Sequence, residues 1–155
     1  MAVPTNLPTH LTLQIVTPDR LVVREEVDEV EVPGANGYFG VLPGHTPLLA
    51  ALSVGELWYR KGNDRTYVAI ANGFAEILPD SVTVLAQLAE RADEIDVTRA
   101  EAALKRAQER LAGPRETVDY ERARIALAKS ASRLQVSSRG VSPRSAVLSK
   151  VQPQG

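Results

Sequence analysis

The spacing of apolar residues changes once along this chain, close to Asp96. Before that point, apolar and polar residues alternate in short runs such as residues 11–16 (LTLQIV), a period typical of half-buried β-strands. Gly, Pro, Asn and Asp separate these runs without an intervening helical period, which predicts an antiparallel β-sandwich or barrel. After Asp96 the apolar residues recur every three or four positions, as on one face of a helix. An all-β domain followed by helices is therefore predicted.

The region after Asp96 is predicted to form two helices. Asp96 suits the N-cap of the first helix, and Gly113-Pro114 ends it, since glycine accepts the left-handed terminal conformation and proline cannot continue the ladder. A second helix is predicted from about Asp119, and the short linker favours an antiparallel hairpin. We expect a flattened antiparallel β-sandwich of about ten strands over residues 8–91, an α-helical hairpin over residues 95–136 and a disordered tail over residues 137–155.

Alanine side chains recur along the seam of the predicted hairpin. At roughly 25 cal/mol per Å², such side chains bury too little area to hold the helices firmly. We therefore expect the hairpin to open or to detach from the sandwich at modest cost. The seam comprises Val97, Ala100, Leu104, Ala107 and Leu111 on the first helix, and Tyr120, Ala123, Leu127 and Leu134 on the second.

Charge is distributed unevenly between the two halves of the chain. Residues 1–92 carry 6 Lys and Arg against 11 Asp and Glu, whereas residues 93–155 carry 12 against 8. The basic C-terminal half favours a partner with an acidic surface, or a nucleotide. The alternative is a solvated helical face without a ligand.

Several kinds of chemistry are excluded or disfavoured. The chain has no cysteine, no Gly-Lys-Ser/Thr phosphate loop, and only two histidines, His10 and His45, which are not spaced as metal ligands. The acidic run at residues 25–31 alternates along a strand, which spreads its carboxylates over solvent rather than into a cleft. No apolar run approaches the roughly 18 residues that span a bilayer. We expect no catalytic activity from the chain alone, and membrane association only through a partner.

Residues 37–49 (GYFGVLPGHTPLL) combine Gly and Pro with apolar side chains. This composition favours tight turns at a sheet edge rather than a long strand. The run that follows, residues 48–54, is apolar enough to be predicted as buried.

Three segments in this order carry a family resemblance: residues 37–49, residues 73–85 (GFAEILPDSVTVL) and residues 95–100 (IDVTRA). The chain closely resembles the epsilon subunit of bacterial F-type ATP synthases over residues 11–134. The resemblance implies a central-stalk subunit that couples proton-driven rotation to ATP synthesis. Its implied partners are the gamma subunit and the c-ring, and its helices reach the alpha and beta subunits to inhibit ATP hydrolysis. The implied location is the cytoplasmic face of the bacterial plasma membrane.

The resemblance also implies two sets of site residues. Tyr38, Gly40, Pro43, Gly44 and His45 correspond to the face that meets the c-ring, although many family members carry Glu at the position of Tyr38. No cofactor is required, but the IDVTRA segment is similar to the signature of members that bind a regulatory ATP. The matching nucleotide-binding residues are Glu90, Asp96, Arg99, Lys129 and Arg133.

Alternatives remain for both the site and the function. Lys129 stands where the best-known binders carry Arg, so a weaker grip on phosphate is expected. In the alternative interpretation of the site, Asp96 is an N-cap and Arg99 is a surface charge, and neither residue binds a ligand. One rival function is a free-standing nucleotide-sensing module. A nucleic-acid binder is disfavoured because the basic tail lacks aromatic side chains for stacking.

Overall fold

The computed structural model describes residues 6–114 and 120–139, in which eight strands precede two helices. The expected start of the second helix at Asp119 and most of the predicted tail, residues 140–155, lie outside the described residues. The elements are β1 (Leu11–Val16), β2 (Leu21–Val27), β3 (Glu29–Gly34), β4 (Gly37–Val41), β5 (Leu48–Leu52), β6 (Gly55–Lys61), β7 (Asp64–Leu78), β8 (Ser81–Arg91), a 3-10 turn (Ala92–Glu94), α1 (Val97–Ala112) and α2 (Tyr120–Ser138).

The strands form a folded sheet in the order β2-β1-β8-β7-β5-β3-β4, with β6 pairing with β3 and β7. The first half of β7 pairs with β6 and its second half pairs with β5, so one strand contributes to both layers of the sandwich. The predicted sandwich and helical hairpin are confirmed. All described pairs are antiparallel except β1 with β8, which is parallel.

The described sheet has eight strands rather than about ten. One of the missing strands is explained by β7, which is continuous through Asn72-Gly73, a dipeptide that the sequence presents as a turn signal. Both residues have positive φ, 54° at Asn72 and 138° at Gly73, yet β7 keeps one register with β8 on either side. The dipeptide therefore bends a strand instead of reversing it. A Cβ at Gly73 would lie 1.9 Å from the carbonyl oxygen of Leu85, so this bend requires glycine.

The main core fills the space between the two sheet layers. It is aliphatic except for Tyr59, which agrees with the low aromatic content of the chain. Alternate side chains of β1 point into this core: Leu11, Leu13 and Ile15 are all fully buried, while the residues between them are half-buried.

Helix α1 begins as predicted and ends differently. The Asp96 carboxylate accepts a hydrogen bond from the Arg99 N–H at 3.1 Å, which is an N-cap. Gly113 has φ −79° and ψ 178°, so the expected left-handed conformation was wrong. Pro114 accounts for the difference, because a residue before proline is pushed towards extended backbone.

The helices contact the sandwich chiefly through α2, while α1 packs against α2. Val136 of α2 is fully buried in a small cluster with Ala69 and Ile95, separate from the main core. The buried residues of the two helices are otherwise small: Ala100, Ala107, Ala123, Ser130 and Ser132. Helix α2 continues to Ser138, two residues beyond the expected boundary.

Candidate nucleotide cleft and exposed docking surfaces

A cleft of about 530 Å³ lies where β8, α1 and α2 meet, a size typical of small-molecule sites. Four of the five predicted nucleotide-binding residues line it, although they are separated by up to 43 positions in sequence. The lining comprises Glu90, Glu94, Asp96, Arg99, Ala102, Ala103, Arg106 and Arg133. Because three elements build it, the cleft is complete only while the helices rest on the sheet.

The three arginines of the cleft differ in their partners. Arg133 donates from Nε and Nη2 to one oxygen of Glu90, at 3.2 and 3.1 Å. These two side chains are only 21% and 18% exposed. The guanidinium groups of Arg99 and Arg106 have no ion-pair partner in the part of the chain that the structure describes, and both residues are exposed. Two unpaired planar cations beside one cleft suit a phosphate chain.

Arg106 was missed at the level of sequence, and Lys129 is not brought into the cleft lining. Arg106 follows Arg99 by seven residues, which places both on one face of α1, so helical spacing was the available signal. Lys129 is half-buried on α2, one turn before Arg133. The structure thus offers Arg106 as a cleft cation, while Lys129 stays outside the lining.

Glu94 is held by a bidentate pair with Arg20, both contacts at 2.8 Å. The hydrogen bond from Arg20 lowers the pKa of Glu94, and the same bond raises the pKa of Arg20. Glu94 also accepts from the Arg91 N–H at 3.1 Å. These contacts fix the linker between β8 and α1 to the turn between β1 and β2.

The predicted c-ring residues follow one another along edge strand β4 and the turn after it. Tyr38 is 57% exposed, and its hydroxyl oxygen accepts a hydrogen bond from the Glu56 N–H at 3.1 Å. Gly44 has φ +86° and donates its N–H to the Pro79 carbonyl at 2.7 Å, which holds the turn against the β7–β8 connection. His45 lies next in this turn, with Nδ1 2.6 Å from the Thr46 carbonyl oxygen.

An exposed apolar surface lies on β5, β7 and β8, where burial had been expected for β5. Leu49 is 70% exposed, Phe74 56% and Leu85 55%. Ala51 pairs with Phe74, and Phe74 pairs with Leu85, so these side chains share a row. The prediction that residues 48–54 are buried holds for Leu52 of β5 but was wrong for Leu48, Leu49 and Ala51, because no described element covers this side of β5. Contiguous exposed apolar side chains mark interaction surfaces.

Other kinds of site are not found in the described residues. No group of three or more His, Asp or Glu side chains in residues 6–114 and 120–139 could hold a metal ion. Within the same ranges, neither helix is long and apolar enough to cross a bilayer.

Comparison with known proteins agrees with this architecture. The family model described as ATP synthase, Delta/Epsilon chain, beta-sandwich domain, matches residues 10–92. The model of the long alpha-helix domain of the same chain matches residues 93–138. Together they define a two-domain subunit of the rotary ATP synthases. The chain belongs to the ATP synthase delta/epsilon chain family, whose members are non-catalytic subunits of that complex.

Individual relatives agree with this assignment. The ATP synthase epsilon chain of Syntrophobacter fumaroxidans is 50% identical over 129 residues, covering 83% of this chain and 96% of the relative. That of Nitratidesulfovibrio vulgaris is 49% identical over 126 residues, covering 81% and 94%. A chain in the Euglena gracilis mitochondrial ATP synthase structure, which contains OSCP, F1 and the c-ring, superposes with a TM-score of 0.74 at 25% identity, covering 87% and 85%.

Proposed function

We propose that this chain is the epsilon subunit in the central stalk of an ATP synthase. Its sandwich binds the gamma subunit and the c-ring, and its hairpin regulates ATP hydrolysis. The observation that carries the regulatory part is that the hairpin rests on the sandwich through a cluster of its own, outside the main core. Undocking it therefore leaves the sandwich intact.

The sandwich is suited to transmit rotation. Its core is closed and independent of the helices, and its bent strand β7, which pairs with both β5 and β6, ties the two layers together. We assign the exposed row of Ala51, Phe74 and Leu85, with Leu49 beside it, to the gamma subunit, because binding would remove these apolar side chains from water. Tyr38, Gly40, Pro43, Gly44 and His45 then face the c-ring from the adjacent sheet edge.

The cleft gives the hairpin its control by nucleotide. ATP whose phosphates contact Arg99, Arg106 and Arg133 would bind only the docked arrangement. A ligand that binds one state alone stabilises it by RT ln(1 + [L]/Kd), so ATP would hold the hairpin down. At low ATP the basic helices would be released towards acidic surfaces of the alpha and beta subunits, where they inhibit hydrolysis.

The location follows from the complex. As part of the F1 portion the chain is peripheral, and we place it on the cytoplasmic face of the bacterial plasma membrane. Its association with the membrane is then indirect, through gamma and the c-ring.

Calorimetric titration of the full-length chain with ATP tests the nucleotide site. We expect saturable binding that is weakened at least tenfold in Arg99→Ala and Arg106→Ala, as for lost charge-assisted phosphate contacts. Lys105→Gln, one residue from Arg106 but outside the cleft lining, is the matched control. An absence of heat in the parent chain would remove ATP from this proposal.

Co-purification with gamma separates the stalk subunit from a free-standing nucleotide-sensing module. The exposed apolar row favours the stalk subunit, since a free-standing module has no use for it. A chain that binds ATP but fails to bind gamma would instead be the free-standing module.

A further inference from the structure

Three residues form a straight row across the sheet under helix α2. Glu56 of β6 pairs with Ala69 of β7, and Ala69 pairs with Glu90 of β8. Neighbouring strands lie about 4.8 Å apart, so the two carboxylate-bearing positions are separated by roughly 10 Å. The sheet therefore presents a pattern of acid, small apolar residue and acid.

Helix α2 presents the complementary pattern to this row. Arg133 contacts Glu90 at 3.1 Å, Val136 is buried in a cluster with Ala69, and Arg139 contacts Glu56 at 3.2 and 3.3 Å. Arg133 and Val136 of α2 are spaced by three positions, and Arg139, in the turn that follows the helix, continues this spacing. A rise of 1.5 Å per residue puts Arg133 and Val136 about 4.5 Å apart along the helix axis, close to the strand spacing. The match fixes the register in which α2 docks.

The contact of Arg139 with Glu56, at the outer end of this row, differs from the inner contact of Arg133 with Glu90. Arg133 also lines the cleft, whereas Arg139 does not. The Arg139 guanidinium donates to both oxygens of Glu56 and lies 5.1 Å from the centre of the Tyr67 ring. Glu56 is only 9% exposed, and a carboxylate with so little water is costly unless it is paired.

We propose that Glu56 and Arg139 form a latch that holds the end of α2 on the sandwich whether or not the cleft is occupied. This inference rests on the proposed function, since it specifies how often the regulatory hairpin leaves its docked position. Undocking α2 must break the latch and return Glu56 to water. The inner contact, Arg133 with Glu90, responds to nucleotide, while the latch sets the fraction of molecules in which α2 is undocked when no nucleotide is bound.

Native-state hydrogen exchange of the full-length chain without nucleotide tests the latch. In Glu56→Gln and in Arg139→Gln, we expect the opening equilibrium constant of the α2 amides to rise at least about fivefold, because each variant loses an ion pair in which only the arginine side chain is substantially exposed. The effects of the two single variants should not add in the double variant, because both substitutions remove the same ion pair. Protection of the β1 and β8 amides should stay unchanged, which shows that the sandwich remains folded.

Glu76→Gln and Lys105→Gln are the matched controls. Both residues are exposed, and neither side chain has an ion-pair or hydrogen-bond partner within the described ranges. The latch would be overturned if the α2 amides of Arg139→Gln exchanged as slowly as those of the parent chain. It would also be overturned if the effects of the two single variants added up in the double variant.

ATP hydrolysis by the complex assembled with each variant tests the underlying function separately. A loosened latch should deepen inhibition at low ATP. If α2 exchange increases while hydrolysis is unchanged, the latch stands and the inhibitory role of the hairpin fails. If exchange is unchanged, the latch fails irrespective of the hydrolysis result.

Discussion

The Arg133 guanidinium lies 3.1 Å from the Glu90 carboxylate, and both side chains line the same cleft. The pair joins α2 to β8 and occupies an arginine that a phosphate would also contact. In the proposed function, docking of the helix and binding of a nucleotide would therefore share one residue.

This sharing predicts different behaviour for two arginines of the cleft. Arg133→Gln should both weaken ATP binding and loosen α2, since it leaves a largely buried Glu90 without its partner, at a cost of order 1–3 kcal/mol. Arg106→Gln should weaken ATP binding alone. Calorimetry and hydrogen exchange on both variants measure the two effects. Equal loosening of α2 in both would contradict the assignment of Arg106 to the ligand only.

Asp96 can be tested as a cap and as a ligand residue with two substitutions. Asn caps helices about as well as Asp, so Asp96→Asn should leave α1 stable, whereas Asp96→Ala should cost about 1 kcal/mol of helix stability. Hydrogen exchange of the first turn of α1 measures this. If ATP affinity is unchanged in Asp96→Asn, the carboxylate serves as a cap and its charge is not needed by the ligand.

Gly73 should be intolerant of any side chain. In Gly73→Ala the new Cβ would meet the Leu85 carbonyl at 1.9 Å, at a φ of +138°. We expect a loss of at least about 3 kcal/mol in the free energy of unfolding, measured by urea denaturation. Gly40→Ala is the control, because its Cβ meets nothing within 4 Å and its φ is not positive. Similar stabilities of the two variants would refute the bend as a glycine requirement.

The Arg20–Glu94 pair predicts a pH dependence. The pKa of Glu94 is lowered by the hydrogen bond from Arg20, so it is lower in the folded than in the unfolded chain. The pair's contribution to stability is therefore fully present above the ordinary glutamate pKa of about 4.3, and is lost as pH falls through the lower folded pKa. The urea concentration at the midpoint of unfolding, measured across this acid range, should fall less steeply with decreasing pH in Glu94→Gln than in the parent chain. Identical pH profiles for parent and variant would count against the pair.

The apolar row on the sandwich predicts a gamma interface. Phe74→Ser should reduce binding to gamma at least tenfold, as for loss of a buried aromatic contact, while the free chain remains about as stable as the parent. Val97→Ser, which removes an apolar side chain 43% exposed on α1, is the matched control. Undiminished binding of Phe74→Ser to gamma in a pull-down would place the interface elsewhere.

Local patterns predicted much of this fold. The largely alternating pattern placed β1 at residues 11–16, and the Asp96 cap marked the start of α1, because both signals are contained in a few neighbouring residues. The Asn72-Gly73 bend was missed since the same dipeptide ordinarily closes a hairpin. Only the pairing of β7 with β8 on both sides of this dipeptide reveals that β7 is a single strand.

Long-range contacts lay beyond the sequence pattern. Arg139 and Glu56 are 83 positions apart, and no period relates them. The role of Arg106 in the cleft could have been predicted from the sequence, because its spacing from Arg99 is helical. The exposure of Leu49 could not have been predicted, because hydrophobicity alone does not distinguish a side chain covered by its own chain from one covered by a partner.

The bidentate contact between Arg20 and Glu94 has a consequence for the geometry of any swing of the helices. It anchors the chain up to Glu94 on the sandwich, which leaves Ile95 and Asp96 as the pivot. With 16 residues in α1, a rigid arm of about 24 Å would sweep from that point. The radius of such a motion would be set by the length of α1, and its origin by a single arginine in the turn between β1 and β2.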